Sequence, residues 1–155
     1  MPELKEGSKA PDFTLLTDAG DSLKLSSLAG KKVVLYFYPK ADTPGCTKEA
    51  CSFRDEFPRL GAVDAVVLGA SPDPVTAVAK FKAKYHLPFS LLADEEHQVA
   101  EKYGVWVEKT NYGKTYMGVA RTTFIIGRDG RIAKIFPKVK VDGHTEEVLA
   151  ALAAL

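Results

Sequence analysis

Apolar and polar positions in this chain fall into short alternating or continuous runs, broken by turn residues, that predict strands and helices in turn. DFTLL at 12–16, the turn DAGD and SLKL at 22–25 predict a short N-terminal β-hairpin. SSLAG reads as one helical turn closed at Gly30. VVLYFY at 33–38 is an unbroken β-branched and aromatic run, the pattern of a strand buried on both faces, and Pro39 stops it. After the loop PKADTPG, a helix is predicted from Pro44 to Phe57, with Thr43 as N-cap and proline at the first helical position. AVDAVVLGAS at 62–71 predicts a second buried strand, and DPVTAVAKFKAKYH at 73–86 a helix opened by Asp-Pro. FSLLAD at 89–94 reads as a strand, and EEHQVAEKYG at 95–104 as a helix closed by Gly104. ARTTFIIG at 120–127 and RIAKIF at 131–136 flank an Asp-Gly turn and predict a hairpin. TEEVLAALAAL at 145–155 closes the chain as a helix.

This order predicts an α/β fold with a central mixed sheet flanked by helices. The strand and helix around residue 40 belong to a right-handed βαβ unit. Their loop then lies at the carboxyl end of a central strand, where ligands of open α/β sheets bind.

Composition narrows the function classes. The 155 residues suit one domain, 1–155, with a full hydrophobic core. Lys+Arg number 21 and Asp+Glu 20, so there is no basic excess to attract nucleic acid or an anionic membrane. No apolar run approaches the ~20 residues that span a bilayer. MPELKEGSKAPDF lacks the basic and apolar regions of a secretory signal, which makes a cytoplasmic location the expectation. A static disulfide is unusual in that reducing setting.

The chain has 2 cysteines, Cys46 and Cys51, both on the predicted helix that opens at Pro44. Metal ligation, a structural staple, small buried hydrophobes and redox chemistry are all open for such a pair. Against zinc, His86, His97 and His144 are scattered and none has ligand spacing to a cysteine, so no metal or other cofactor is expected. The spacing also departs from the CxxC of thioredoxin-type sites. On a helix, Cys46, Ala50, Phe53, Phe57 and Leu60 form one stripe facing the sheet. Cys51 lies about 140° around the helix from Cys46 and about 7.5 Å along it, among Lys48, Arg54 and Asp55. An intact helix therefore cannot bridge the two, and a disulfide requires its first turns to unwind. Cys46 also sits where free N–H groups and the helix dipole favour a thiolate.

PKADTPGC matches the peroxiredoxin signature Pro-x-x-x-Thr/Ser-x-x-Cys through Pro39, Thr43 and Cys46. With a second cysteine five residues on, and with APDFTL and ARTTFII in the same order, the chain resembles the bacterioferritin-comigratory-protein or peroxiredoxin Q subfamily from Ala10 to the final helix. The resemblance implies a single thioredoxin-like domain acting as a thiol peroxidase on hydrogen peroxide and organic hydroperoxides. It casts Cys46 as the peroxidatic cysteine and Cys51 as the resolving cysteine of an intramolecular disulfide. Thioredoxin or a similar dithiol reductant would then reduce that disulfide. Resolution within one chain needs no partner subunit, so a monomer is expected.

Displacement at a peroxide oxygen requires three atoms in line and donors already aimed at the leaving oxygen. Thr43 offers a hydroxyl, and the N–H groups of Gly45 and Cys46 add to it. Arg121 looks like the family's arginine, a permanently charged fork for thiolate and peroxide, and Pro39 would shield the thiolate. Each has a plainer reading: Thr43 as N-cap, Arg121 as a surface charge, Pro39 as a strand end. Glu49 either orients Arg121 through a charge-assisted bond or is a solvated helix residue. Trp106 and Tyr38 either wall the pocket or belong to the core. A general thiol–disulfide oxidoreductase is the rival activity. Thr122 stands where thioredoxins carry a proline, which weighs against it. A non-enzymatic thioredoxin-like binding module is the third class.

Overall fold

The structure, a computed structural model, describes residues 4–155. Seven strands form one twisted sheet in the order β2-β1-β5-β4-β3-β8-β9. They are β1 (Thr14–Thr17), β2 (Ser22–Lys24), β3 (Lys32–Phe37), β4 (Ala65–Ser71), β5 (Ser90–Ala93), β8 (Thr122–Ile126) and β9 (Ile132–Phe136). A separate two-stranded ribbon pairs β6 (Trp106–Asn111) with β7 (Lys114–Val119). The helices are α1 (Pro44–Asp55), α2 (Phe57–Ala62), α3 (Val75–Tyr85), α4 (Gln98–Lys102) and α5 (His144–Ala153). A 3₁₀ turn spans Leu25–Leu28. No helix is long and apolar enough to cross a membrane among the described residues.

β3 is buried along its whole length, as its unbroken apolar run requires. Its alternate side chains feed two cores. Val34, Tyr36 and Tyr38 pack with Phe53 of α1, Phe81 of α3 and Val148 of α5. Val33, Leu35 and Phe37 pack on the other face with Tyr103, Val119 and Phe124. β3, β4 and β5 run parallel, whereas β8 lies antiparallel to β3. The N-terminal hairpin extends the main sheet, because β1 pairs antiparallel with β5.

Three elements differ from the sequence expectation. The helix from Pro44 ends at Asp55, and α2 restarts at Phe57. Pro58 has no N–H to continue the ladder, so the chain breaks there. The helix expected over 95–104 shortens to Gln98–Lys102, because His97 is left-handed at φ 49° and the Asp94 carboxylate caps the amides of Val99 and Ala100 at 3.2 and 2.8 Å. The β6–β7 ribbon was not expected at all. Its turn places Tyr112 and Gly113 at φ 52° and 76°, the two left-handed central residues of a type I′ hairpin.

Candidate active site

The carboxyl end of β3 delivers the chain through buried Tyr38 and half-buried Pro39 into the loop before α1. Cys46, in the first turn of α1, is only 1% exposed. It opens the predicted stripe: Ala50, Phe53 and Leu60 are fully buried behind it, and Phe57 packs partly against them. Thr43 holds the N-cap position, but its side chain does not cap the helix. Its hydroxyl donates instead to the Lys40 carbonyl at 2.8 Å, which closes the loop on itself. The first-turn N–H groups are thus capped by no side chain, and they bring the positive end of the helix to the thiol.

Arg121 arrives through sheet register. β8 pairs antiparallel with β3, setting Thr122 opposite Phe37, so the residue before β8 stands over the loop that leaves β3. One arm of its guanidinium, Nη2, donates to Cys46 Sγ at 3.3 Å. The other, Nη1, donates to Glu49 Oε1 at 2.7 Å. Burial opposes the arginine's charge, yet Glu49 and the Cys46 sulfur outweigh it and raise its pKa. Gly45 lets the cation approach, since a Cβ there would lie 3.2 Å from Nη2.

Glu49 is not a solvated helix residue: its side chain is 2% exposed. Burial pushes its pKa up to about 7, against the opposing pull of Arg121. Among the described residues, its second oxygen, the hydroxyls of Tyr36 and Tyr38 and that of Ser71 have no hydrogen-bond partner. The two tyrosine rings stack at 5.5 Å, and burial raises both phenols well above their ordinary values.

The structure thus brings together Cys46, Glu49, Gly45 and Arg121, with Thr43 and Pro39 on the adjoining loop. Tyr38 lies in the core cluster that contains Cys46. Trp106 does not, since it packs in the opposite core and stacks on His97 at 4.0 Å. Cys51 is half-buried further along α1, and both cysteines are free thiols. The sequence also held a signal for the burial of Glu49, which lies three residues beyond Cys46 and so on the same flank of the helix. The arrangement provides a buried sulfur under a fixed cation at a helix N-terminus, which suits a thiolate nucleophile.

Comparison with known proteins agrees with this chemistry. Residues 7–135 match the AhpC/TSA family. The chain is 56% identical to a putative peroxiredoxin Bcp of Coxiella burnetii, over 96% of this chain and 99% of that one. It is 52% identical to peroxiredoxin Bcp of Bacillus subtilis, over 94% and 93% of the two chains. Among solved structures, peroxiredoxin Q of Xylella fastidiosa superposes with a TM-score of 0.93 at 34% identity, covering 99% and 98%. The Xanthomonas campestris bacterioferritin comigratory protein gives 0.91 at 36% identity, covering 97% and 98%. A thioredoxin-like α/β sheet, a buried cysteine at a helix N-terminus and these relatives together place the chain in the AhpC/TSA family, as a thiol peroxidase of the Bcp/peroxiredoxin Q type.

Proposed function

We propose that Cys46 is the peroxidatic nucleophile and Cys51 the resolving thiol of this enzyme. The observation that carries the assignment is the Arg121 guanidinium 3.3 Å from Cys46 Sγ, with its other arm anchored on buried Glu49. The cation favours the thiolate and stays charged at any working pH. The thiolate attacks the terminal peroxide oxygen and the O–O bond breaks. Sulfur is oxidised to sulfenic acid, and the leaving oxygen departs as water or an alcohol after taking a proton. Arg121 and the first-turn amides stabilise the charge that moves onto that oxygen. Thr43 and Pro39 shape the loop beside it.

The thiol of Cys51 then displaces hydroxide from the sulfenic sulfur, giving a disulfide and water. Thioredoxin or a similar dithiol returns both thiols by exchange. Alkyl hydroperoxides belong among the substrates by analogy with the Xanthomonas relative, whose alkyl peroxide reduction activity has been examined structurally. The cycle needs one chain, which suits a monomer, and a cytoplasmic setting supplies the dithiol.

Single-turnover stopped flow tests the assignment. Cys46→Ser abolishes peroxide consumption, and Cys51→Ser consumes one equivalent rapidly but does not turn over with thioredoxin. A rapid first turnover in Cys46→Ser would overturn it.

A further inference from the structure

The face of β8 turned away from Cys46 borders a cavity. Strand alternation sends successive side chains to opposite faces of the sheet. Arg121 reaches Cys46 and Glu49 on one side, while Ala120, Thr122 and Phe124 form a wall on the other. The cavity behind that wall has a volume of about 340 Å³. That is the small end of the range of about 300–1,000 Å³ found for small-molecule sites. Tyr103 and Val105, which follow α4, and Ile135 near the end of β9 complete its apolar lining. Tyr103, Val105 and Phe124 are buried members of the second core, and Ile135 packs partly against it, so the floor belongs to packed core.

Polar groups in the lining already have partners. The Tyr103 hydroxyl donates to the Pro11 carbonyl at 2.6 Å, and the Thr122 hydroxyl to the Ala120 carbonyl at 2.9 Å. The Ala120 amide donates to the Val105 carbonyl at 2.8 Å. The interior therefore offers little to a ligand that needs hydrogen bonds along its length. The rim differs, because it carries Lys102, Lys138 and Glu101. Glu101 is engaged by His97 Nδ1 at 3.2 Å. Among the described residues, neither lysine has a carboxylate partner, and the Lys102 ammonium reaches only the Asp12 carbonyl at 3.4 Å. An apolar chamber thus ends in two exposed ammonium groups that lack a counter-charge.

We infer that this cavity is a second binding site, for a small hydrophobic carboxylate. The apolar body fills the chamber beside Tyr103 and Phe124, and the carboxylate meets Lys102 and Lys138 at its mouth. The occupant needs no peroxide group, since Cys46 belongs to the core on the other face of the sheet. The inference holds whichever cysteine is the nucleophile.

The test is an amide NMR titration of the full-length reduced protein with hydrocinnamate and with hydrocinnamyl alcohol, which has the same ring and chain but no charge. Hydrocinnamate gives saturable shifts centred on residues 102–105, 120–124 and 135–138, and it binds more tightly than the alcohol. K102Q and K138Q, both at exposed positions, each weaken hydrocinnamate roughly two- to fivefold, the range of an exposed ion pair, and leave the alcohol unchanged. Added salt lowers the affinity of the acid alone. I135W fills the chamber and abolishes binding of both; should it fail to fold, the lysine variants still decide. No saturable shift up to about 10 mM hydrocinnamate overturns the inference, since ligands of this size in a formed site reach roughly millimolar Kd. So do shifts centred on the first turn of α1, equal affinities for acid and alcohol in the wild type, or an unchanged hydrocinnamate affinity in the K102Q/K138Q double variant.

Discussion

Replacing Glu49 with glutamine tests the electrostatics of the site most directly. The side chain is 2% exposed, and its pKa is raised from 4.5 to about 7. The folded protein therefore holds this proton more tightly than the unfolded chain does. Between pH 4.5 and about 7 the folded state keeps a proton that the unfolded state has shed. Stability from this group is thus fully present below pH 4.5 and is lost as pH rises through about 7. At about 1.4 kcal/mol per pH unit, the loss amounts to about 3 kcal/mol. Glutamine has nearly the same shape and does not titrate. At any single pH its effect mixes relief of a buried charge with loss of the partner of Arg121, and these oppose each other. The difference between pH 4.5 and 8.5 isolates the titration. Urea unfolding in a Cys46→Ser background, which takes the reactive thiol out of the comparison, should show wild-type Glu49 losing about 3 kcal/mol relative to E49Q across that range. With a slope near 2 kcal/mol per molar, that is a relative midpoint shift of about 1.5 M. Curves that stay parallel within about 0.5 kcal/mol would refute the reasoning.

Gly45→Ala separates stability from activity: helix propensity favours alanine by about 0.5–1 kcal/mol, but the new Cβ presses on Arg121, so peroxide reduction slows roughly tenfold while urea resistance holds or rises. Arg121→Lys keeps the charge but cannot fork to Glu49 and Cys46 together, and steady-state peroxidase assays should show a loss of roughly 10²-fold. Ser52→Ala removes the 2.5 Å hydrogen bond to Thr145, costs about 1 kcal/mol in unfolding experiments and accelerates disulfide formation, because α1 is less firmly held. Amide exchange over residues 44–52 should be faster in the oxidised protein than in the reduced one, and equal protection would contradict unwinding of α1.

Much of this fold was legible because its strands are buried. VVLYFY and AVVLGAS are apolar enough to announce themselves, and each is followed by a helix with a proline near its start. The β6–β7 ribbon was not legible, since most of its residues face solvent and leave only a weak pattern. Its I′ turn carries Tyr112 at a left-handed φ where asparagine or glycine would have marked it. Cys46 and Cys51 were readable as lying on different sides of one helix. The meeting of Glu49 and Arg121 was not fixed by local pattern, because they are 72 residues apart in sequence. Only the register of β8 on β3 brings them together, and register follows from the packed sheet.

The cycle proposed for Cys46 and Cys51 places two opposed demands on α1. Reaction with peroxide needs the first turn intact, because the helix terminus and Arg121 both act on Cys46 there. Joining Cys46 to Cys51 needs the same turns undone. The distribution of contacts along the helix answers both. Its early part is held by polar ties: Arg121 to Glu49 and Cys46, Lys48 to Asp142, Ser52 to Thr145, and Asp42 in the preceding loop, which accepts from Lys84 Nζ at 2.9 Å and Tyr85 Oη at 2.8 Å. The exposed ion pairs among these, Lys48–Asp142 and Lys84–Asp42, contribute about 0–1 kcal/mol each. Phe53 is fully buried and packs on Tyr36 at 4.8 Å and on His144 at 6.1 Å; exposing such a ring costs about 3–5 kcal/mol. Ala50 is fully buried too, but it has little side chain to lose. Unwinding up to Ser52 therefore breaks polar ties, of which the buried Glu49–Arg121 pair is the costliest, whereas going beyond it must also expose a large buried ring. Phe53 acts as the stop, and both cysteines lie on the side of the helix that can open.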